Sequence, residues 1–263
     1  MCKKNKLMKI NSPQINLMYK ACMKASRVLI RDFGEIEKLQ VSEKGPGDFV
    51  TASDKRVEKI IIGELEKSEY SFLTEETGLI VGKHKDKRWI IDPIDGTFNF
   101  LNSLPHFAIS IGYEENGEIV SGIIFDPIKN EMFSAHKGSG AYLNNSRIRV
   151  SNKSDFKIAC LVTGGPKGTS KTREAIIDEY KKISLKIDSN IRKSGSAALD
   201  LAYVASGRYD GYWQREINYW DVAAGLIIVK ESGGFVENIK DKEFNMEKLD
   251  ILATNSKIHK ELR

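Results

Sequence analysis

The sequence predicts an α+β fold that passes into an α/β pattern, on three observations. Two stretches of helical apolar spacing open the chain, a run of strand-like segments with turn signals between them fills its middle third, and strands alternate with helices in its last third. Ser12-Pro13 reads as an N-cap with proline at the first helical position, and Ile15, Met18, Cys22, Ala25 and Leu29 continue the helix to Phe33-Gly34. A loop with Gly45-Pro46-Gly47 follows. A second helix starts near Ser53, with Val57, Ile60, Ile61 and Leu65 as its buried stripe. Asp54 falls in its first turn, where a carboxylate suits the helix dipole. Residues 71–73, 89–91, 107–113 and 119–125 read as strands, with the hairpin dipeptide Asn116-Gly117 joining the last two. Residues 131–135, 141–143 and 147–150 extend the sheet. Beyond them the pattern predicts strands at 158–163, 185–188, 209–213, 235–236 and 251–253, and helices at 171–182, 196–206 and 221–231, the last closed by Gly233-Gly234. The change of pattern at 151–154 divides the chain into an N-terminal α+β domain, 1–150, and a C-terminal α/β domain, 151–263.

With 263 residues, 41% apolar and 29% charged, the chain has the balance of a water-soluble globular protein. Its longest apolar runs, 226–229 and 60–62, are far short of the roughly 20 residues of a membrane span. The basic start, Met1 to Lys6, has no apolar stretch behind it and reads as a cytoplasmic N-terminus rather than a signal peptide. Cys2, Cys22 and Cys160 lie far apart and form no CxxC pair, which argues against a thiolate zinc site and a disulfide framework. The net charge of +5 suits anionic substrates. The lysines are scattered rather than clustered, which weighs against a dedicated nucleic-acid surface.

Carboxylates recur where strands end or helices begin. The buried run Trp89-Ile90-Ile91 delivers Asp92 and Asp95, with Pro93 and Gly96 shaping a turn between and after them. Two carboxylates three residues apart, with the Ile94 carbonyl, make a hard-oxygen donor set that suits Mg²⁺, although Asp-Pro and Asp-Gly are also ordinary turn residues. Glu75-Glu76 follows the 71–73 strand, and Asp221 opens an apolar helix. Each has a plainer reading, a solvated acidic turn for the first and an N-cap for the second. If Glu75, Asp92, Asp95 and Asp221 converge, each pair at 4 Å costs about 4 kcal/mol at an effective dielectric near 20, and divalent cations are the natural remedy. Thr97 adds a hydroxyl, and Gly96 and Thr97 add N–H groups for an anion. Gly195-Ser196-Ala197 opens another helix, a position that also suits phosphate. The stretch Gly164-Gly165-Pro166-Lys167-Gly168 does not fit the phosphate-loop pattern and reads as a strand-to-helix loop near the substrate.

These motifs resemble the inositol monophosphatase family over nearly the whole chain. The run 89–97 (WIIDPIDGT) is similar to the family's first signature, and Trp220-Asp221-Val222-Ala223-Ala224-Gly225 with Glu231-Ser232-Gly233-Gly234 to its second. Residues 48–54 (DFVTASD) and Glu75-Glu76 match the intervening motifs. The resemblance implies a layered αβαβα sandwich of the sugar-phosphatase type and two or three Mg²⁺. One ion would lie on Glu75, Asp92 and the Ile94 carbonyl, and a second on Asp92, Asp95 and Asp221. It further implies that Thr97 and Glu75 orient and deprotonate the attacking water, with Asp54 holding Thr97. Ile94, Asp95, Gly96, Thr97, Gly195, Ser196, Ala197, Gln214 and Asp221 would contact a small phosphorylated polyol or sugar. Lithium inhibition and a homodimer are implied as well.

One departure stands out. Where the family usually has a hydroxyl-binding glutamate, seven residues before the metal aspartate, this chain has Gln214. Lys44 matches a flap lysine, in a loop one residue shorter. The same scaffold serves phosphatases of fructose 1,6-bisphosphate, histidinol phosphate and 3′-phosphoadenosine 5′-phosphate. Some bacterial relatives act as RNA- or transcription-associated binding proteins, a role compatible with 195–208 and the basic balance.

Overall fold

The Ser12 hydroxyl accepts a hydrogen bond from the Ile15 N–H at 3.5 Å and Pro13 takes the first turn, so α1 (Pro13–Phe33) begins where its sequence predicts. The structure, a computed structural model, describes residues 9–10, 12–36, 41–45, 48–165, 170–238 and 249–263, with backbone alone for 41–50 and 170–172. The basic start, the Pro46-Gly47 turn and residues 166–169 of the glycine-rich stretch lie outside the described residues, as does the Lys44 side chain.

An antiparallel pair, β1 (Val41–Gly45) and β2 (Asp48–Thr51), leads into α2 (Ala52–Leu65). Thr51 caps α2 and Asp54, its third residue, reaches back to the Thr51 N–H. An eight-stranded sheet follows, built from β3 (Tyr70–Thr74), β4 (Gly78–Ile80), β5 (His84–Asp95), β6 (Ala108–Glu115), β7 (Glu118–Asp126), β8 (Glu131–His136), β9 (Gly140–Leu143) and β10 (Ser146–Arg147). Its order is β10-β9-β8-β7-β6-β5-β3-β4, antiparallel throughout except for the parallel pair β3–β5. The short helix α3 (Thr97–Leu101) leaves from the end of β5. The second half holds a four-stranded sheet, β11-β12-β14-β13, from β11 (Leu161–Thr163), β12 (Gly211–Ile217), β13 (Phe235–Asn238) and β14 (Leu249–Thr254). Its helices are α4 (Ser170–Ser184), α5 (Ala197–Ala205), α6 (Tyr219–Glu231) and α7 (His259–Leu262).

Period-two alternation sorts the strand side chains into layers. Trp89, Ile91, Ile109, Ile111 and Ile123 point to a core shared with α1 and α2. Ile90, Ala108, Ile124 and Phe133 point the other way, to a core with α5, α6 and the inner face of the second sheet through Tyr212, Ile251 and Ala253. Trp213 and Leu252 face outward from that sheet toward Ile183 of α4 and Leu262 of α7. Five layers result, α1/α2, sheet, α5/α6, sheet, α4/α7, which is the αβαβα sandwich expected. α6 carries no polar stripe and is buried from Val222 to Val229 between the sheets. No helix among the described residues is long and apolar enough to cross a membrane.

Four local expectations need correction. Residues 185–188 form a turn, not a strand. Leu185 is exposed, Lys186 bonds back to Ile183, and Arg192 takes the place beside β11 through Thr163 N–H to Arg192 O (3.0 Å) and Arg192 N–H to Leu161 O (2.8 Å). The strand expected at 147–150 ends at Arg147, because the Val150 N–H turns to the Ser232 carbonyl behind α6. α6 begins two residues before Asp221, with Asn218 as its N-cap. The loop expected around Gly45 is part of the β1–β2 hairpin.

Gly122 fixes how closely α6 approaches the first sheet, since a Cβ there would lie 2.7 Å from the Ala224 carbonyl oxygen and 2.8 Å from its Cα. Gly122→Val is expected to lower stability by about 1–3 kcal/mol through overpacking. Urea unfolding checks this as a lower midpoint at unchanged slope, and an unchanged midpoint would contradict the packing described.

Candidate active site

The parallel pairing of β3 with β5, Leu73 opposite Ile90 and Thr74 opposite Ile91, ends both strands at one edge. Glu75 and Asp92 therefore emerge together, tied by the Glu75 N–H to the Ile91 carbonyl at 3.2 Å. Beyond Asp92 the pairing of β5 with β6 slips until Asp95, so Pro93 and Ile94 bulge and both carboxylates turn to the same side. The Ile94 N–H donates to Asp92 Oδ1 at 3.0 Å and holds that rotamer. Gly96 closes the turn at φ +98°, where a Cβ would meet the His106 and Gly195 carbonyl oxygens at 3.1 and 3.3 Å.

The second half of the chain supplies the rest. Asp221, third residue of α6, accepts the Asn218 N–H at 3.2 Å through Oδ2, which completes the capping box that replaces its predicted N-cap role. One carboxylate oxygen from each of Asp92, Asp95 and Asp221 lies within 4.8 Å of the others. Asp95 also caps α5 from outside: the Ala198 and Ala197 N–H groups donate to it at 2.8 and 3.3 Å, and Ser196 Oγ donates to Oδ2. The N-terminus of α5 is thus engaged by a protein carboxylate. A cavity of about 320 Å³ opens on these groups, lined also by Glu75, Thr97, Gly195 and Gln214.

The electrostatics fit a cation. Asp92 and Asp95 are 1% and 8% exposed. Burial, then the Glu75, Asp95 and Asp221 charges, push Asp92 well above the usual carboxylate range. Burial and Asp221 raise Asp95 to about 7 against its bonds from α5 and Ser196. A set made wholly of oxygen donors, held together against its own repulsion, suits a hard divalent ion rather than a soft one.

Asp54 lies behind the cavity wall. It is fully buried, accepts the Thr51 N–H at 2.8 Å, and stands 3.4 Å from Thr97 Oγ1, which donates to the Ile94 carbonyl at 3.0 Å. Burial raises Asp54 to about 6. Gln214 reaches the cavity beside Gly164, where any Cβ would come within 2.0 Å of Gln214 Oε1. Sequence reasoning missed Asp200, a buried carboxylate that also lines the cavity and takes the Ser194 hydroxyl. Its position in the first turn of the predicted α5 was the available signal.

A metal-suited acidic cluster between two sheets, next to a small polar cavity, defines a class of phosphate-handling sandwich proteins, and comparison with known proteins narrows it. The model of the inositol monophosphatase family matches residues 11–263, and the chain belongs to that family. It is 42% identical over 253 residues to an inositol-1-monophosphatase of Mesorhizobium japonicum, covering 95% of both chains. It is 43% identical over 234 residues to the Nus factor SuhB of Xylella fastidiosa, covering 88% of this chain and 84% of that one. The crystal structure of the extragenic suppressor protein suhB from Bartonella henselae superposes with a TM-score of 0.90 at 43% identity, covering 95% of this chain and 97% of that one.

Asp54 and Asp95, raised to about 6 and about 7, favour the fold in their protonated forms, so their contribution is lost as pH rises through those values. His106 and His259, lowered in the fold by burial, act in the opposite sense over the same range, so the effect is read as a difference: from about pH 6 to about pH 8.5 the metal-free parent protein is expected to lose more melting temperature than its Asp95→Asn variant. Millimolar Mg²⁺ should flatten or invert the trend, because a bound cation favours the charged forms. Calorimetry with and without chelator checks both statements.

Proposed function

We propose that this chain is a Mg²⁺-dependent phosphomonoesterase acting on inositol monophosphate or a similar small polyol phosphate. The observation that carries this reading is the convergence of Asp92, Asp95 and Asp221 from both halves of the chain at the mouth of one polar cavity. Family membership over residues 11–263 supports it. Glu75, Asp92, the Ile94 carbonyl, Asp95 and Asp221 would hold two or three Mg²⁺, which supply Lewis-acid charge for an attacking water and for the leaving oxygen.

The remaining work falls to the chain's own groups. Thr97 Oγ1, with Asp54 behind it, orients the water, and Glu75 beside Asp92 takes its proton. The Gly96 and Thr97 N–H groups at the turn suit phosphate oxygens. Ser196, by donating to Asp95, keeps that carboxylate turned to the cavity. Gln214 and the Gly195–Ala197 turn form the wall against which the polyol rests. Lithium sensitivity and a homodimer accompany this reading as family traits.

A second reading, an RNA- or transcription-associated binding role, is favoured by the Xylella fastidiosa relative named a Nus factor. A catalytically dead variant separates the two. Asp95→Asn is expected to lower Mg²⁺-dependent phosphate release from myo-inositol 1-phosphate by about 10³-fold or more. It should leave the metal-free melting temperature unchanged or higher, since one like charge is gone from a buried cluster. Mg²⁺ should raise the melting temperature of the parent protein and much less that of the variant. Full rescue of a deletion strain by Asp95→Asn would favour the binding role over catalysis.

A further inference from the structure

Glu58 is a buried carboxylate on α2 to which the reaction above gives no task, and it is not among the side chains that line the cavity. Both of its oxygens are taken by one turn. The Glu76 N–H donates to Oε2 at 3.0 Å, and the Thr77 hydroxyl donates to Oε1. That turn, residues 75–77 between β3 and β4, has Glu75 at its head. The Glu75 N–H is itself tied to the Ile91 carbonyl. The peptide groups on both sides of the Glu75 Cα are therefore held, one by β5 and the other by α2.

The turn needs such a hold. Glu75 and Asp92 repel, since the Glu75 charge helps push Asp92 toward its protonated form, and a loose turn would let Glu75 swing away. β4 gives little support, being a three-residue edge strand with Leu79 exposed. α2 is firm, because Val57, Ile61 and Leu65 are wholly buried in the core that it shares with α1. Asp54 precedes Glu58 by one helical turn on the same face, and its carboxylate stands 3.4 Å from Thr97 Oγ1. One rigid helix thus fixes both Thr97 and Glu75, the two groups assigned to the attacking water.

We propose that Glu58 is a positioning residue that clamps the Glu75 turn for cation binding, acting through the Glu76 N–H and the Thr77 hydroxyl. This rests on the Mg²⁺-dependent phosphatase reading and names the group that keeps one of its metal ligands in place.

The test compares Glu58→Gln with Glu58→Met, side chains of similar length. Glutamine keeps an oxygen for the Glu76 N–H and turns its NH₂ to Thr77 Oγ1, which then accepts. Methionine fills the same space and offers neither bond. Mg²⁺ titration of the full chain by calorimetry, without substrate, reads binding directly. Glu58→Met is expected to raise the Mg²⁺ dissociation constant by about tenfold or more, the usual cost of losing an outer partner of a metal ligand, while Glu58→Gln stays near the parent. Phosphate release from myo-inositol 1-phosphate should reach half its maximum at a correspondingly higher Mg²⁺ concentration in the methionine variant. A lower metal-free melting temperature with unchanged Mg²⁺ affinity is what a merely structural role gives, and it would overturn the clamp. Equal weakening by both variants would overturn it too, because charge rather than hydrogen bonding would then be at work. Should Glu58→Met fail to fold, Thr77→Val, at an exposed position, removes one of the two bonds. Weaker Mg²⁺ binding in that variant supports the clamp, and unchanged binding rejects it. A parent protein that binds Mg²⁺ but releases no phosphate overturns the phosphatase reading itself, and the calorimetric comparison still decides the clamp.

Discussion

The structure depends on holding like charges together. Asp92, Asp95 and Asp221 keep one oxygen each within 4.8 Å of the others, with Glu75 beside Asp92, and Asp92 and Asp95 are themselves buried. Repulsion on the order of 4 kcal/mol per close pair would push such a cluster apart on any soft scaffold. The scaffold is therefore stiff where it matters. β5 is paired on both sides, with β3 in parallel and β6 antiparallel, and Trp89, Ile90 and Ile91 alternate into two separate cores. The carboxylates cannot retreat without breaking a strand that both cores grip.

That grip explains why so much apolar material surrounds a polar site. α6 delivers Asp221 from its first turn, and its remaining length is buried between the two sheets. Its place is set by close approaches: Gly122 lets the first sheet come against Ala224, and Gly225 lets Leu201 of α5 come against α6. Because α5 is locked to α6 in this way, the α5 N-terminus arrives where it can take Asp95. Asn99 closes the arrangement from the other side, with its amide donating to the His106 and Ser194 carbonyls at 2.8 Å each. Packing thus aims the acids, and the acids leave a strained charge balance for a cation to relieve.

Much of this was legible in the sequence, and for local reasons. The helix stripes of α1 and α2, the Asn116-Gly117 hairpin and the acids after apolar strands are short-range signals, and each appears at its expected place. What was not legible is set by long-range competition. Residues 185–188 have a strand-like composition, but Arg192 wins the edge of β11, which no local pattern reveals. Asp221 looks like an N-cap because it precedes an apolar run, yet Asn218 takes the cap and frees Asp221 to face the cavity from the third position. α3, β4 and the β1–β2 hairpin are short elements whose pairing comes from tertiary neighbours. Asp200 stayed hidden because a carboxylate in a first helical turn is ordinary until its burial is known.

The charge balance around the cavity follows from the same physics. Glu75, Asp92, Asp95 and Asp221 compete for charge neutralisation, and a hard divalent cation is the kind of ligand that relieves such a cluster. Gln214 adds no charge to that balance and its oxygen is committed to Tyr212, while Asp200 takes the Ser194 hydroxyl and feels the Asp95 charge. The replacement of an expected glutamate by Gln214 therefore spares the cavity one more carboxylate beside a cluster that already repels itself.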